Sequence, residues 1–388
     1  MKKSIVLATA VAFTSAANVA MARGTVEVVG SSTVYPFATV VAEKVTKAGN
    51  PVKIESTGSG GGLKLFCKGI GEATPDFTNA SRRIKSSEVD KCKKAGINDI
   101  VEVRVGYDGI VVANAKNGPK FDLTKKDLAL AIAKQIPGPD GKKLIDNPHQ
   151  KWSDVRKGLP NVDIVVYGPP PSSGTRDAFV ELALEGGFKK FADWKELRKI
   201  KGTSIEACKR NYNRDAFGSK LVELGLPTSL CEKKGKVSKG KNAFKKVAHA
   251  IREDGKYIEM GENDNAIIGK LVNNPNAVGV FGFSFLDQNM DKIKGAPVDG
   301  TAPTFEGIAD SSYPISRPLQ FYVKKAHVGQ INGMKEYLAE FTSEAAFGDG
   351  GYLSDKGLIP MPKAERECNR AAAMNLTPMA GYDYACGK

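Results

Sequence analysis

Residues 25–57 read TVEVVGSSTVYPFATVVAEKVTKAGNPVKIEST, and their hydrophobic pattern sets the fold class. Residues 25–30 alternate like a strand, and residues 34–47 put Val34, Phe37, Val41 and Val45 on one helical stripe. Residues 51–57 return to a strand. Strand, helix, strand in this rhythm predicts parallel strands joined by crossover helices. The cycle recurs: residues 60–70 and 86–95 read as helices around an extended segment at 75–80, the second helix opening on a serine cap. Residues 100–115 form a long apolar, β-branched stretch that the glycines at 106 and 109 are expected to break. Further on, residues 124–135 (helix), 161–167 (strand), 175–185 (helix), 277–285 (buried strand), 313–325 (strand) and 332–344 (helix) continue the pattern. Asn263 or Asp264 is expected to cap another helix. Residues 187–261 leave the rhythm as a charged elaboration holding two of the cysteines.

The bulk properties fix the compartment and remove several function classes. Lys2 and Lys3 precede IVLATAVAF, an apolar run too short to cross a bilayer, and Ala20-Met21-Ala22 supplies an A-x-A cleavage pattern. Residues 1–22 are therefore read as a secretory signal peptide, cut after Ala22. No cysteine sits at the cut to carry a lipid, so the mature chain is expected in a periplasm or secreted. Six cysteines suit that oxidising setting, and short loops favour Cys67 with Cys92, Cys208 with Cys231 and Cys368 with Cys386 among fifteen pairings. A zinc site would need C-x-x-C or clustered histidines, whereas His149, His249 and His327 are scattered. The net charge of +14, or +12 once Lys2 and Lys3 are removed, fits nucleic acid, an acidic surface or an anionic solute. The basic run at 231–246 lacks the interleaved aromatics of a single-strand binder, and nucleic acid is set aside.

Three strand ends run into Gly/Ser/Thr turns before helices: Gly30-Ser31-Ser32-Thr33, Gly58-Ser59-Gly60-Gly61-Gly62 and Ser172-Ser173-Gly174-Thr175. Helix starts leave amide hydrogens without intrahelical partners, hydroxyls add donors, and glycine lets backbone approach a ligand. Any one such turn reads first as helix capping. Three at the carboxyl ends of an open α/β sheet point to a shared oxyanion crevice. Arg176 adds a planar charged fork. Asp76, in ATPDFTNASRR, would repel a fully ionised anion but could accept an O–H from one that keeps a proton, favouring phosphate over sulfate.

The segments GSSTVYPF, STGSGGG, PDFTNASR, SSGTRDAF, GENDNAIIGKL and YPISRPLQFYVKK, in that order over nearly the whole mature chain, resemble the periplasmic phosphate-binding proteins of bacterial high-affinity phosphate ABC importers. The resemblance implies an α/β, two-lobed type II periplasmic-binding-protein fold, each lobe a mixed, mostly parallel sheet flanked by helices and joined by a hinge. On it the chain divides into residues 23–105 and 301–388 for the first lobe and 106–300 for the second. It implies reversible binding of inorganic phosphate and delivery to a membrane permease by a monomer without cofactor or metal. Carried over, the site is Ser32, Thr33, the amide of Val34, Ser59, Asp76, Ser173, Gly174 and Thr175. The family often places its arginine before S-G-T, where residues 168–171 stand here, so Arg176 after it, or Arg82 or Arg83, has to supply the charge.

Other classes fit less well. A serine hydrolase or phosphate-ester hydrolase would want G-x-S-x-G, but Ser59 sits in T-G-S-G-G, with no histidine nearby in sequence. A receptor for another oxyanion keeps the turns but not the use of Asp76. A surface-binding protein exploiting the basic patches would not need the three turns.

Overall fold

The computed structural model describes residues 23–210, 215–261, 264–380 and 386. The signal peptide and the Asn263 cap lie outside them. Nine strands form one continuous sheet. In chain order they are β1 (Val26–Gly30), β2 (Val52–Ser56), β3 (Phe77–Ala80), β4 (Ile100–Ala115), β5 (Val166–Gly168), β6 (Tyr257–Glu259), β7 (Val278–Gly282), β8 (Ile293–Gly295) and β9 (Ser316–Lys324). The spatial order is β6-β5-β7-β4-β9-β3-β1-β2, with β8 also paired to β4. The helices that matter for the site are α1 (Tyr35–Lys47), α2 (Ser59–Phe66), α3 (Ser86–Lys94), α4 (Lys125–Ile132), α5 (Gly174–Phe179) and α6 (Gly240–Ala248).

The opening strand, helix, strand unit folds as its pattern requires. β1 runs parallel to β2, with Val28 opposite Ile54, and parallel to β3, with Val28 opposite Phe77. Val26, Val28 and Phe77 are buried, as is the stripe Val34, Phe37, Val41 and Val45. Burying a side chain of this size contributes about 1.5–3 kcal/mol, which outweighs the modest β and helix propensities involved.

β4 organises the whole molecule. Its sixteen residues span about 50 Å. Its first part pairs antiparallel with β9, from Ile100 opposite Lys324 to Gly109 opposite Ser316. Its second part pairs with β7, from Ile110 opposite Gly282 to Ala113 opposite Gly279, and with β8. One strand thus belongs to two sheet halves. The glycines expected to break it do not end it. The register instead shifts between Leu319 and Gln320, bulging β4 near Gly106. A Cβ on Gly106 would lie 2.7 Å from the Ile359 carbonyl oxygen, and one on Gly109 2.5 Å from Ile308 Cδ1. Both glycines serve close packing where the strand changes neighbours.

Elsewhere the elements are shorter than their patterns. The strand read at 161–167 orders only as Val166–Gly168, and the helix read at 175–185 is α5 continued by a π-turn, Val180–Leu184, into Glu185–Phe188. The charged elaboration forms short helices, including Ile205–Arg210, Ala216–Glu223 and α6. All three disulfides pair as their spacing suggested: Cys67–Cys92, Cys208–Cys231 and Cys368–Cys386.

Candidate functional site

Two of the three turns share one local device. In the first, Ser31 Oγ accepts the Thr33 N–H at 3.2 Å; in the third, Ser173 Oγ accepts the Thr175 N–H at 3.2 Å. Each serine satisfies the amide two residues on, and the amide of Val34 has no acceptor among the described residues. The second turn opens on Gly58 at φ +71°, and Ser59 Oγ accepts the Ser81 N–H at 3.1 Å, tying the start of α2 to the end of β3.

These turns come together across the midpoint of β4. A Cβ on Gly174 would sit 3.0 Å from the Ser32 carbonyl oxygen and 3.4 Å from Thr33 Cα, so a side chain there would crowd the approach of the first and third turns. Ser32 Oγ also donates to Asp177 Oδ2 at 2.9 Å. Thr33 lines two neighbouring cavities. One, of about 520 Å³, is bordered by Asp108, Ser173, Gly174 and Thr175. The other, of about 540 Å³, is bordered by Ser31, Ser59, Gly60, Ser81, Arg82 and Arg317.

Arg317 is the cation at the junction. It stands opposite Asp108 in the β4–β9 ladder and is 6 % exposed. Its Nη2 donates to Thr33 Oγ1, so that hydroxyl, already accepting, is left to donate its own hydrogen. Arg317 Nε lies 3.5 Å from Asp108 Oδ2, and neither atom has a hydrogen-bond partner among the described residues. Burial pushes the Asp108 carboxyl above its ordinary range, and the Arg317 charge only partly opposes that. Asp108 borders the first cavity and Arg317 the second, and a buried acceptor and donor both left unfilled suit an anion that carries a proton.

Of the residues singled out from sequence, Ser32, Thr33, Ser59, Ser173, Gly174 and Thr175 line these cavities, and Val34, whose side chain is in the core, borders neither. Asp76 does not join them. It precedes β3, at the amino end of the parallel strands, where its Oδ2 accepts the Glu27 N–H at 2.8 Å and an Arg23 hydrogen bond. Its Oδ1 meets His327 Nδ1 at 2.6 Å. Because His327 Nε2 accepts from the Gly71 N–H, Nδ1 carries the ring proton and donates to Asp76. The carboxylate is fully engaged in holding that end of the sheet.

Arg176 is also turned away. It pairs with Glu259 on β6 at 2.8 Å and lies over the Tyr257 ring, outside both cavities. Arg83 pairs with Glu102 at 2.6 Å and lines neither cavity. Arg82 does reach the second cavity, but Glu88 holds it with bonds of 2.9 and 2.8 Å. Sequence reasoning missed Arg317 and Asp108. Each was visible as a lone charge inside an apolar strand, in YPISRPLQFYVKK and in VGYDGIVV, where an unpaired charge would be costly. Among the described residues no group of three or more His, Cys, Asp or Glu could hold a metal ion, and no helix is long and apolar enough to cross a membrane.

Comparison with known proteins places the chain in a family. A family model described as the PBP superfamily domain matches residues 15–345. Protein SphX of Synechococcus elongatus is 27% identical over 348 residues, covering 88% of this chain and 78% of the relative. The phosphate-binding protein PstS of Staphylococcus saprophyticus is 26% identical over 351 residues, covering 88% of this chain and 82% of the relative. Among solved structures, one titled "a possible phosphate binding protein" from Planctomyces limnophilus superposes with a TM-score of 0.64 at 26% identity. That match covers 91% of this chain and 99% of the other.

Proposed function

The chain belongs to the PBP superfamily, and on that premise we propose that it binds inorganic phosphate reversibly outside the cytoplasm and delivers it to the membrane permease of an ABC importer. It is a binding protein and not an enzyme. Its mature form begins at Arg23, after cleavage behind Ala22, and works as a monomer without nucleic acid. Residues 23–105 and 301–388 form one lobe and residues 106–300 the other, with β4 and the start of β9 as the strands that cross between them.

The observation that carries the reading is the meeting of Thr33, Gly174, Arg317 and Asp108 where β4 passes from one sheet half to the other. Phosphate oxygens would take the hydroxyls of Ser32, Thr33, Ser59, Ser173 and Thr175 and the amides of Val34 and Gly174. Arg317, already oriented by Thr33 and Asp108, supplies the charge assigned from sequence to Arg176. Asp108 takes the part expected of Asp76: its free oxygen accepts the O–H of monobasic or dibasic phosphate. Sulfate brings only lone pairs to that position and is rejected by repulsion.

Calorimetry of ligand-free protein with phosphate, sulfate and a phosphate ester tests this. Phosphate should bind one to one, sulfate far more weakly, and the ester should stay intact. Arg317→Ala should lose about 1.5–3 kcal/mol of phosphate binding, the usual worth of a charge-assisted hydrogen bond, while Arg176→Ala should lose none. The reverse ranking of the two arginines would overturn this assignment of the site.

A further inference from the structure

The cavity of about 540 Å³ is much larger than an anion of five non-hydrogen atoms requires; it falls in the range of about 300–1,000 Å³ that holds drug-sized ligands. One wall is the turn cluster with Arg317. The other comes from the charged elaboration and the continuation of α5, and it is strongly basic: Lys189, Arg198, Lys241 and Lys245, faced by Lys85 at the start of α3. Glu185, buried behind this wall, meets Lys245 at 3.1 Å, Lys189 at 3.5 Å, Arg198 at 3.7 Å and His249 at 2.8 Å. Glu185 is thus shared among three permanent cations, of which Lys245 also meets Glu181 at 3.5 Å. Lys85 and Lys241 form no ion pair among the described residues, which include Asp177 and Glu181 on the same lining. Burial, then the charges of Lys245 and Lys85, hold the Lys241 ammonium below its ordinary range. Cations that repel one another across a shared space are relieved by an anion placed between them.

Resting on the reading of the turn cluster as a phosphate site, we propose that this cavity is a second anionic subsite, which admits the outer phosphoryl group of a condensed phosphate such as inorganic diphosphate. One phosphoryl group occupies the turns beside Thr33 and Arg317, and the next lies toward Lys85 and Lys241. The lining favours this chemistry over a nucleotide or an uncharged ester. It contains no Phe, Tyr or Trp to stack a base, and Leu182 is its one large aliphatic side chain. A neutral substituent would leave the cations uncompensated, whereas a second phosphoryl group neutralises them.

The test is calorimetry of the mature protein, stripped of ligand, with orthophosphate, diphosphate and triphosphate, beside the double variant Lys85→Gln/Lys241→Gln. Expected are one diphosphate per chain, displacement of orthophosphate by diphosphate, and at least a tenfold loss of diphosphate affinity in the double variant. Its orthophosphate affinity should change by less than about threefold, since no hydrogen bond joins either lysine to the turns among the described residues. Orthophosphate binding without measurable diphosphate binding overturns the subsite and leaves the phosphate receptor standing. Diphosphate binding without orthophosphate binding keeps the subsite and overturns the receptor reading. Equal losses for both ligands, or two orthophosphates bound at once, also overturn the subsite: the lysines would then act as a general attractive field or as an independent anion site.

Discussion

Asp76 and Asp108 are both buried carboxyls, and their surroundings give them opposite work. Asp76 has a partner for each oxygen, Glu27, Arg23 and His327, so its charge is compensated in the folded chain. Asp76→Ala should strand the Arg23 and His327 groups and cost about 3–5 kcal/mol in urea denaturation, with phosphate affinity unchanged. Among the described residues Asp108 has only Arg317, at 3.5 Å, and its carboxyl is raised. A carboxyl whose native value lies above its unfolded one favours the native state below the unfolded value, and that contribution is lost as pH rises through the native value. Asp108→Asn should therefore make the ligand-free protein more stable at pH 7 while narrowing its preference for phosphate over sulfate. In the wild type that preference should shrink as pH falls through the raised Asp108 value, and in the variant it should not respond to pH. A variant that keeps full discrimination would sink the role given to Asp108.

At the scale of elements, the wall built by the α5 continuation and α6 depends on Glu185. Burial alone would raise this carboxyl, but the His249 hydrogen bond and the Lys245 charge prevail and hold it at about 2. Its folded value lies below the unfolded one, so the stability it contributes is present above pH 4.5 and is lost as pH falls toward 2. That contribution is on the order of 3 kcal/mol. Urea midpoints between pH 5 and 2 should fall less steeply for Glu185→Gln than for the wild type. The same region is stapled by Cys208–Cys231, closing 23 residues. Replacing both by serine should cost about 3 kcal/mol by the loop-entropy estimate, read as a lower melting temperature. The helical and strand character of these elements was legible where apolar periodicity was strong, as in α1 and β4. It was illegible in the length of β5, because only three residues there find a parallel partner on β6, and pairing is a property of neighbours.

Across the whole molecule, the first and third turns, far apart in sequence, meet where Gly174 packs against Ser32 and Thr33 and Ser32 bonds Asp177. Gly174→Val should prop this approach open. Phosphate affinity should fall at least tenfold, about 1.4 kcal/mol, and small-angle scattering should no longer show compaction on adding phosphate. A variant that compacts normally would separate the turn contact from closure. The bulge near Gly106 and the change of partners after Gly109 put the bend of β4 where such a motion would pivot.

Residue pattern by itself determined the α/β class and the three Ser/Gly/Thr turns, because periodicity and amide capping are set within a few residues of chain; for the disulfides, short loops only favoured the three pairings that form. Only the tertiary structure decided which charges meet the turns. Asp76 and Arg176 sit close in sequence to site residues, yet one lies at the opposite end of its strand and the other faces β6. Asp108 and Arg317 are over two hundred residues apart and meet because antiparallel pairing of β4 with β9 sets them opposite each other. Long-range register is a property of the assembled sheet, and it placed the cation and the acid that local sequence could not.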